Sequence, residues 1–377
     1  MKNMKKCCSG WMPVLLATVL CGCASQPDSS TDDVYRIVFD AAADECPAGE
    51  LFAGAEVVPL TLPEGQVLPV VHWGQQAAGE WFLTSVSDRI YRFDRTGRLL
   101  NAIGRPGRGP GEWEQIHSVT VSGDTVWVWD GFAARLHTYR RDGVFVGEEE
   151  LSRRATSVYK EGGEVWAYLN YANDYGPERV VLLDAAGEVR AAMLPSAAQL
   201  IQVTESRPQF IRCGERLLLR ECWSPDVYAL WPQGAQLACH VDFGENAIRE
   251  EIFSMERMAG AMALLESDWA VLDDYVETDG HIVVRAVVNR AGGAGGCYWG
   301  FFDKRSGGTV WCGSEGGESL FDSAAMFAAG GDTLALALYA AQARELLAPM
   351  PAGRVGGAER LASLGDDDNV LLLCRLK

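Results

Sequence analysis

Lysine is nearly missing from this chain. Only six occur in 377 residues, and three of them, Lys2, Lys5 and Lys6, lie within the first six positions. With 33 Lys and Arg against 51 Asp and Glu, the net charge is -18. A body this acidic repels polyanions at long range, which argues against nucleic acid or an anionic lipid surface as a partner. Long apolar runs are missing too: the stretch Trp11 to Leu20 holds about ten residues, too few to cross a hydrocarbon core of about 30 Å. No Cys-x-x-Cys pair and no cysteine-histidine set at metal spacing occurs, which argues against a structural zinc site. The chain also lacks a Gly-Lys-Ser/Thr ending, a Gly-x-Ser-x-Gly elbow and a His-Glu-x-x-His helix, and with them three familiar routes to phosphate binding and hydrolysis. What is present is 48% apolar and 10% aromatic residues, enough for a sizeable core, in a length that fits two average domains or one large all-β or α/β unit.

The N-terminus reads as a targeting segment. Three lysines precede the apolar stretch, and Leu20-Cys21-Gly22-Cys23 follows it, ahead of the polar run Ala24 to Asp33. Leu-x-Gly-Cys resembles the lipobox of bacterial lipoproteins. The resemblance implies a signal peptide over 1–22, lipidation of Cys23, a tether over 23–33 and a folded domain over 34–377. The alternative is a plain secretory signal with incidental cysteines. Ala24 and Ser25 follow the cysteine, with no aspartate of the inner-membrane retention type, so the expected location is the cell envelope, at the outer membrane. Loss of the three lysines takes the net charge to near -21. Seven cysteines lie beyond this segment, and the odd number leaves at least one thiol unpaired within the chain. Cys297 and Cys312 flank an expected hairpin and are the candidate disulfide; most of the others are expected to be buried as small apolar residues.

Internal repetition points to the fold. Ile90-Tyr-Arg-Phe-Asp-Arg-Thr-Gly97, Leu136-His-Thr-Tyr-Arg-Arg-Asp-Gly143 and Val180-Val-Leu-Leu-Asp-Ala-Ala-Gly187 align, with looser copies over Val227–Gly234 and Tyr298–Gly307. Each is an alternating strand ending in a glycine turn. A preceding strand opens at Gly79-Glu80, Gly123-Asp124, Gly163-Glu164, Gly214-Glu215, Gly280-His281 and Gly331-Asp332, at intervals of 44, 40, 51, 66 and 51 residues. Four short strands in a period of this length are the signature of a propeller blade, and six openings predict an all-β, six-bladed β-propeller of four-stranded antiparallel blades. The long interval is assigned to one helix inserted between blades four and five within Asn246 to Leu272, with Ile248, Ile252, Met255, Met258, Met262 and Leu265 on its packed face. The sixth unit, with strands over Asp322–Ala328, Thr333–Tyr339 and Asn369–Arg375, is one strand short. Val34–Phe39 or Val57–Leu62 is expected to close the ring, which leaves no open edge and makes 34–377 one domain.

The most specific motif is Asn101-Ala-Ile-Gly-Arg-Pro-Gly-Arg-Gly-Pro-Gly-Glu-Trp113. Together with Val57-Val-Pro-Leu60, Ile90 to Gly97 and Val126 to Asp130, it resembles the six-bladed β-propeller lipoproteins of Bacteroidota, related to the NHL-type propellers. The resemblance covers Val57 to Gly147 and implies export, a lipid anchor and a six-bladed ring, with no settled activity. Physically, the glycines permit positive φ and the prolines stiffen the path, so the loop is a shaped turn. Arg105 paired with Glu112 would fix that shape; alternatively Arg105, Arg108 and Trp113 present a cation-and-aromatic contact.

In a propeller the connections from strand four to strand one and from strand two to strand three emerge on one face. That face collects Arg105, Arg108, Glu112, Trp113, Asp130, Tyr171, Asn173, Asp174, Tyr175 and Trp223 as candidate binding residues, a polar and aromatic set suited to sugars or peptides. The expected function is ligand or partner binding at the cell envelope, with a carbohydrate, peptide or protein partner, no cofactor, membrane contact only through the anchor, and a monomeric state. The alternative is a metal-dependent hydrolase like the lactonase propellers, which hold a divalent cation in the channel. The five histidines, His72, His117, His137, His240 and His281, fall in different repeats and single out no metal site; His137 is expected to be packed.

Overall fold

The glycine that opens each repeat sits where the chain reverses between the first and second strands of a blade. Gly79, Gly123, Gly163, Gly214 and Gly331 all have positive φ there, a region that other residues enter at a cost. The aspartate at the other repeated turn acts by hydrogen bonding: Asp94, Asp184 and Asp303 each accept, on Oδ1, the backbone N–H two residues ahead. These two turns, repeated, fold the chain into short antiparallel strands.

The computed structural model describes residues 34–43, 46–151, 153–170, 176–196, 207–315, 321 and 324–377; Cys23 and the loop carrying Tyr171, Asn173, Asp174 and Tyr175 lie outside them. Two N-terminal strands come first, β1 (Tyr35–Val38) and β2 (Phe52–Pro59), joined through the one-turn α1 (Ala48–Leu51). Blade one is β3 (Trp73–Ala77), β4 (Glu80–Thr84), β5 (Ile90–Phe93) and β6 (Leu99–Ile103). Blade two is β7 (Ser118–Ser122), β8 (Thr125–Asp130), β9 (Arg135–Arg140) and β10 (Phe145–Glu150). Blade three is β11 (Ser157–Glu161), β12 (Glu164–Tyr168), β13 (Glu178–Leu183) and β14 (Val189–Pro195). Blade four is β15 (Phe210–Cys213), β16 (Arg216–Arg220), β17 (Asp226–Trp231) and β18 (Gly234–Asp242). Blade five is β19 (Trp269–Glu277), β20 (His281–Asn289), β21 (Gly296–Asp303) and β22 (Thr309–Glu315). Blade six takes β23 (Ala325–Ala328) and β24 (Thr333–Tyr339), then, after β25 (Val355–Gly356), the C-terminal β26 (Asn369–Leu376).

The missing strand of blade six is β2, antiparallel to β26 from Phe52↔Leu376 to Pro59↔Val370. Of the two expected donors the second closes the ring, starting five residues earlier than the sequence suggested. The first, β1, instead adds parallel to β18 on the outer edge of blade four. Between them Cys46 is disulfide-bonded to Cys312 on β22. The expected Cys297–Cys312 bridge is therefore not formed: Cys312 lies opposite Trp299, while Cys297 faces Ser314 two residues along and its sulfur accepts from the Arg285 guanidinium. The N-terminal segment thus runs as a strap over blades four, five and six.

Successive residues on one strand enter different cores. Leu217 and Leu219 pack between blades three and four, whereas Leu218 packs between four and five. Six apolar clusters result, one at each blade interface. The insertion between blades four and five departs from expectation. It forms two short helices, α2 (Glu250–Phe253) and α3 (Arg257–Leu265), broken where Glu256 caps the N-terminus of α3 through its side chain. Ile252 and Leu264 are buried with Trp223 and Trp269 against them, but Met258, Met262 and Leu265 are exposed, so the expected single packed face does not exist. The excursion Ala340–Asp368 forms α4 (Ala340–Leu347) and α5 (Ala358–Ala362) around β25, which pairs with β2 and covers the outer edge of blade six.

Candidate functional site

The glycine-rich loop after blade one is held from within. Arg105 pairs with Glu112 at 2.7 Å, Glu112 also accepts the N–H of Gly109 at 2.9 Å, and these bonds hold its carboxyl below the usual range. Trp113, expected to present an aromatic surface, is instead fully buried in the core between blades one and two, its indole N–H donated to the Asp88 carbonyl at 2.9 Å. Its ring lies where a side chain at Gly104 would stand, 2.0 Å from an added Cβ, so glycine is required there. Arg105 and Arg108 are exposed, and Arg108 pairs with Glu114 at 2.8 Å. Asp130 is buried and ties two loops together, accepting from the N–H groups of Glu114, Phe132 and Ala133. The cation-and-aromatic contact is therefore not assembled: the indole, the only ring in the set, belongs to the core. His137 is packed as expected, against the Trp113 and Phe145 rings.

What the fold does bring together on the same face lies over blades three and four. A cleft of about 620 Å³ is walled by Arg179, Trp223, Asp226 and Tyr228, with Glu250 and Phe253 of α2 at its edge. Trp223 stands in the left-handed region at φ 60°, as do Asn170 and Leu194 nearby at 56° and 57°. Backbone held this way by a non-glycine residue costs on the order of 1 kcal/mol or more and persists only where the surroundings impose it. Here the imposing contacts include Trp223 edge-on against Trp269 and the Arg179 Nε–H donated to the Leu194 carbonyl at 3.0 Å. Asp226 lies 2.7 Å from His240 Nδ1 and accepts the Tyr228 hydroxyl at 3.1 Å. Behind the wall is Glu221, fully buried, 3.1 Å from Arg179. Burial pushes its carboxyl up to about 7 in spite of that guanidinium.

Of the sequence-named candidates that the structure describes, only Trp223 lines this cleft. Arg179 and Asp226 stand at the ends of the two loops that the sequence placed on this face. Glu221 was missed; its only signal was a charged Arg-Glu pair ending the apolar strand Leu217–Leu219.

The second concavity is the channel, a cavity of about 260 Å³ bounded by the innermost strand of all six blades. Ion pairs and hydrogen bonds gather at its two ends. At one, Arg207 donates to Asp274 at 3.0 Å and to the Ala324 carbonyl at 3.4 Å, and fully buried Arg220 donates to the Leu272 carbonyl at 3.1 Å. His72 and His117 hold equivalent places here, each accepting a loop N–H on Nδ1, from Val86 and Gly131; burial lowers the pKa of both. At the other mouth, Glu277 binds Lys304 at 2.7 Å, Arg216, and the Tyr275 hydroxyl at 2.8 Å. Among the described residues, no three His, Cys, Asp or Glu side chains come together to hold a metal ion.

The fold has solved relatives. A candidate exported protein from Bacteroides fragilis NCTC 9343 is similar with a TM-score of 0.71 at 16% identity, over 92% of this chain and 100% of the other. A member of the DUF4221 family from Bacteroides vulgatus is similar with a TM-score of 0.51 at 10% identity, over 88% and 99%. At such identities the likeness is one of fold. No curated protein matches the chain. A family profile, however, matches residues 76–353, from the first blade into the sixth: the chain belongs to the family described as a domain of unknown function, DUF4934.

Proposed function

We propose that this protein is an exported, lipid-anchored propeller that binds a ligand at the cell envelope through the cleft over blades three and four. The observation that carries the reading is the cleft itself: Trp223, held in a left-handed backbone conformation, and Tyr228 beside Arg179 and Asp226. An apolar wall with a few fixed polar groups is the usual build of a small-ligand site, and aromatic faces with a planar carboxylate and guanidinium suit a sugar ring or a peptide. A screen of glycans and peptides should yield a saturable ligand whose binding is lost in Trp223→Ala. A ligand bound equally well by that variant would place the site elsewhere.

Export and anchoring rest on the Leu-x-Gly-Cys sequence ending at Cys23, with support from the exported candidate of like fold. Among the described residues no helix is long and apolar enough to cross a membrane. Cys23→Ser should move the protein from the membrane fraction to the soluble fraction. Unchanged partitioning would overturn the anchor.

A further inference from the structure

We infer that the ligand of this cleft presents an alkyl-ammonium group, a deepening that rests on the cleft being the binding site. The sign of the local charge argues for it. Among the described residues Arg179 is the one cation on the wall, and it is held there by the Leu194 carbonyl and by buried Glu221. Asp226 and exposed Glu250 then remain as carboxylates facing the opening, in a chain whose net charge of -18 adds a field of the same sign.

Hydrogen-bond capacity points the same way. A carboxylate offers about four acceptor sites, and Asp226 uses one oxygen for His240 and the other for Tyr228, which leaves lone pairs on both. Glu221, fully buried behind the wall, is answered by the Arg179 guanidinium at 3.1 Å. With Arg179 so engaged, the acceptors left at the opening are the carboxylates of Asp226 and Glu250, and an –NH₃⁺ group brings three donors together with a positive charge. Trp223, Tyr228 and Phe253 supply ring faces of the kind that attract an ammonium ion. An anionic ligand would meet two carboxylates, and a neutral one would leave their charge unanswered.

The source of the amine is either a lysine side chain in a peptide or a free amine. Titrating the full chain with N-acetyl-lysine amide, spermidine and glucosamine, each beside its N-acetylated counterpart, separates them. We expect saturable change in tryptophan fluorescence with at least one amine, at least about tenfold weaker binding of its acetylated form, and about tenfold weaker binding in Asp226→Asn. Glu250→Gln, at an exposed position, should weaken binding in the same direction and guards against a folding effect at Asp226. Tightest binding of the lysine derivative assigns a peptide; tightest binding of spermidine or glucosamine assigns a free amine. Equal affinity for free and acetylated probes, or no saturation by about 10 mM, overturns the inference. Amine binding that survives Trp223→Ala overturns the cleft reading instead.

Discussion

Glu221 shows how a single residue couples the site to stability. Its carboxyl is pushed from an ordinary value of 4.5 to about 7 by burial, so between those values the folded protein holds a proton that the unfolded chain releases. Stability from this group therefore falls as pH rises from about 4.5 to about 7 and levels off above. Glu221→Gln removes the titration. Urea unfolding across that range should show the variant gaining about 3 kcal/mol on the parent between pH 4.5 and pH 8, at about 1.36 kcal/mol per pKa unit. A difference that stays flat with pH would mean that Glu221 is not buried as described. Trp113 and Asp130 teach the complementary point. Both residue types are common at binding surfaces, and both sit on the expected face, yet one fills an inter-blade core and the other satisfies three loop N–H groups. Residue type and loop position were legible in the chain; which way a side chain turns depends on a neighbouring blade whose contacts are distant in sequence.

Among the elements, the repeated turns were the most legible, because their chemistry is local. A glycine at positive φ or an aspartate reaching two residues ahead needs nothing from the rest of the molecule. The acidic residue after the glycine has a further role, since Glu80 grips Arg92 through both oxygens, at 2.6 and 2.7 Å, and reaches Arg141 of the next blade at 3.2 Å. The helical insertion was legible only as helical. Its three- and four-residue spacing was real, but Glu256 caps a new helix midway and turns Met258, Met262 and Leu265 outward. The strap was not legible, because a disulfide partner 266 residues away has no signature in spacing. Its energetic role is open to test. Closing so long a loop restricts the unfolded chain by about 2–4 kcal/mol. Cys46→Ser should therefore melt a few degrees below the parent, and reductant should lower the melting temperature of the parent but not of the variant. An equal response to reductant in both would remove the disulfide as the cause.

At the scale of the whole molecule, the ring is held by six interfaces of like construction and closed by pairing residues 52–59 with the last strand of the chain. Edge protection is uneven. Blade four is covered by β1, blade five is crossed by the strap and blade six is covered by β25, whereas β10 of blade two ends its sheet behind the charges of Glu148, Glu149 and Glu150. The sequence by itself determined the number of blades, the place of the insertion and the need for an N-terminal strand. All three follow from alternation and turn residues, which act over a few positions, and from the count of strands. Only the tertiary structure decided which N-terminal strand closes the ring, which cysteine pairs with Cys312, and which loops meet over blades three and four to make a cleft. Those choices rest on contacts between segments tens to hundreds of residues apart, where the free energy lies in the fit of surfaces that local pattern does not encode.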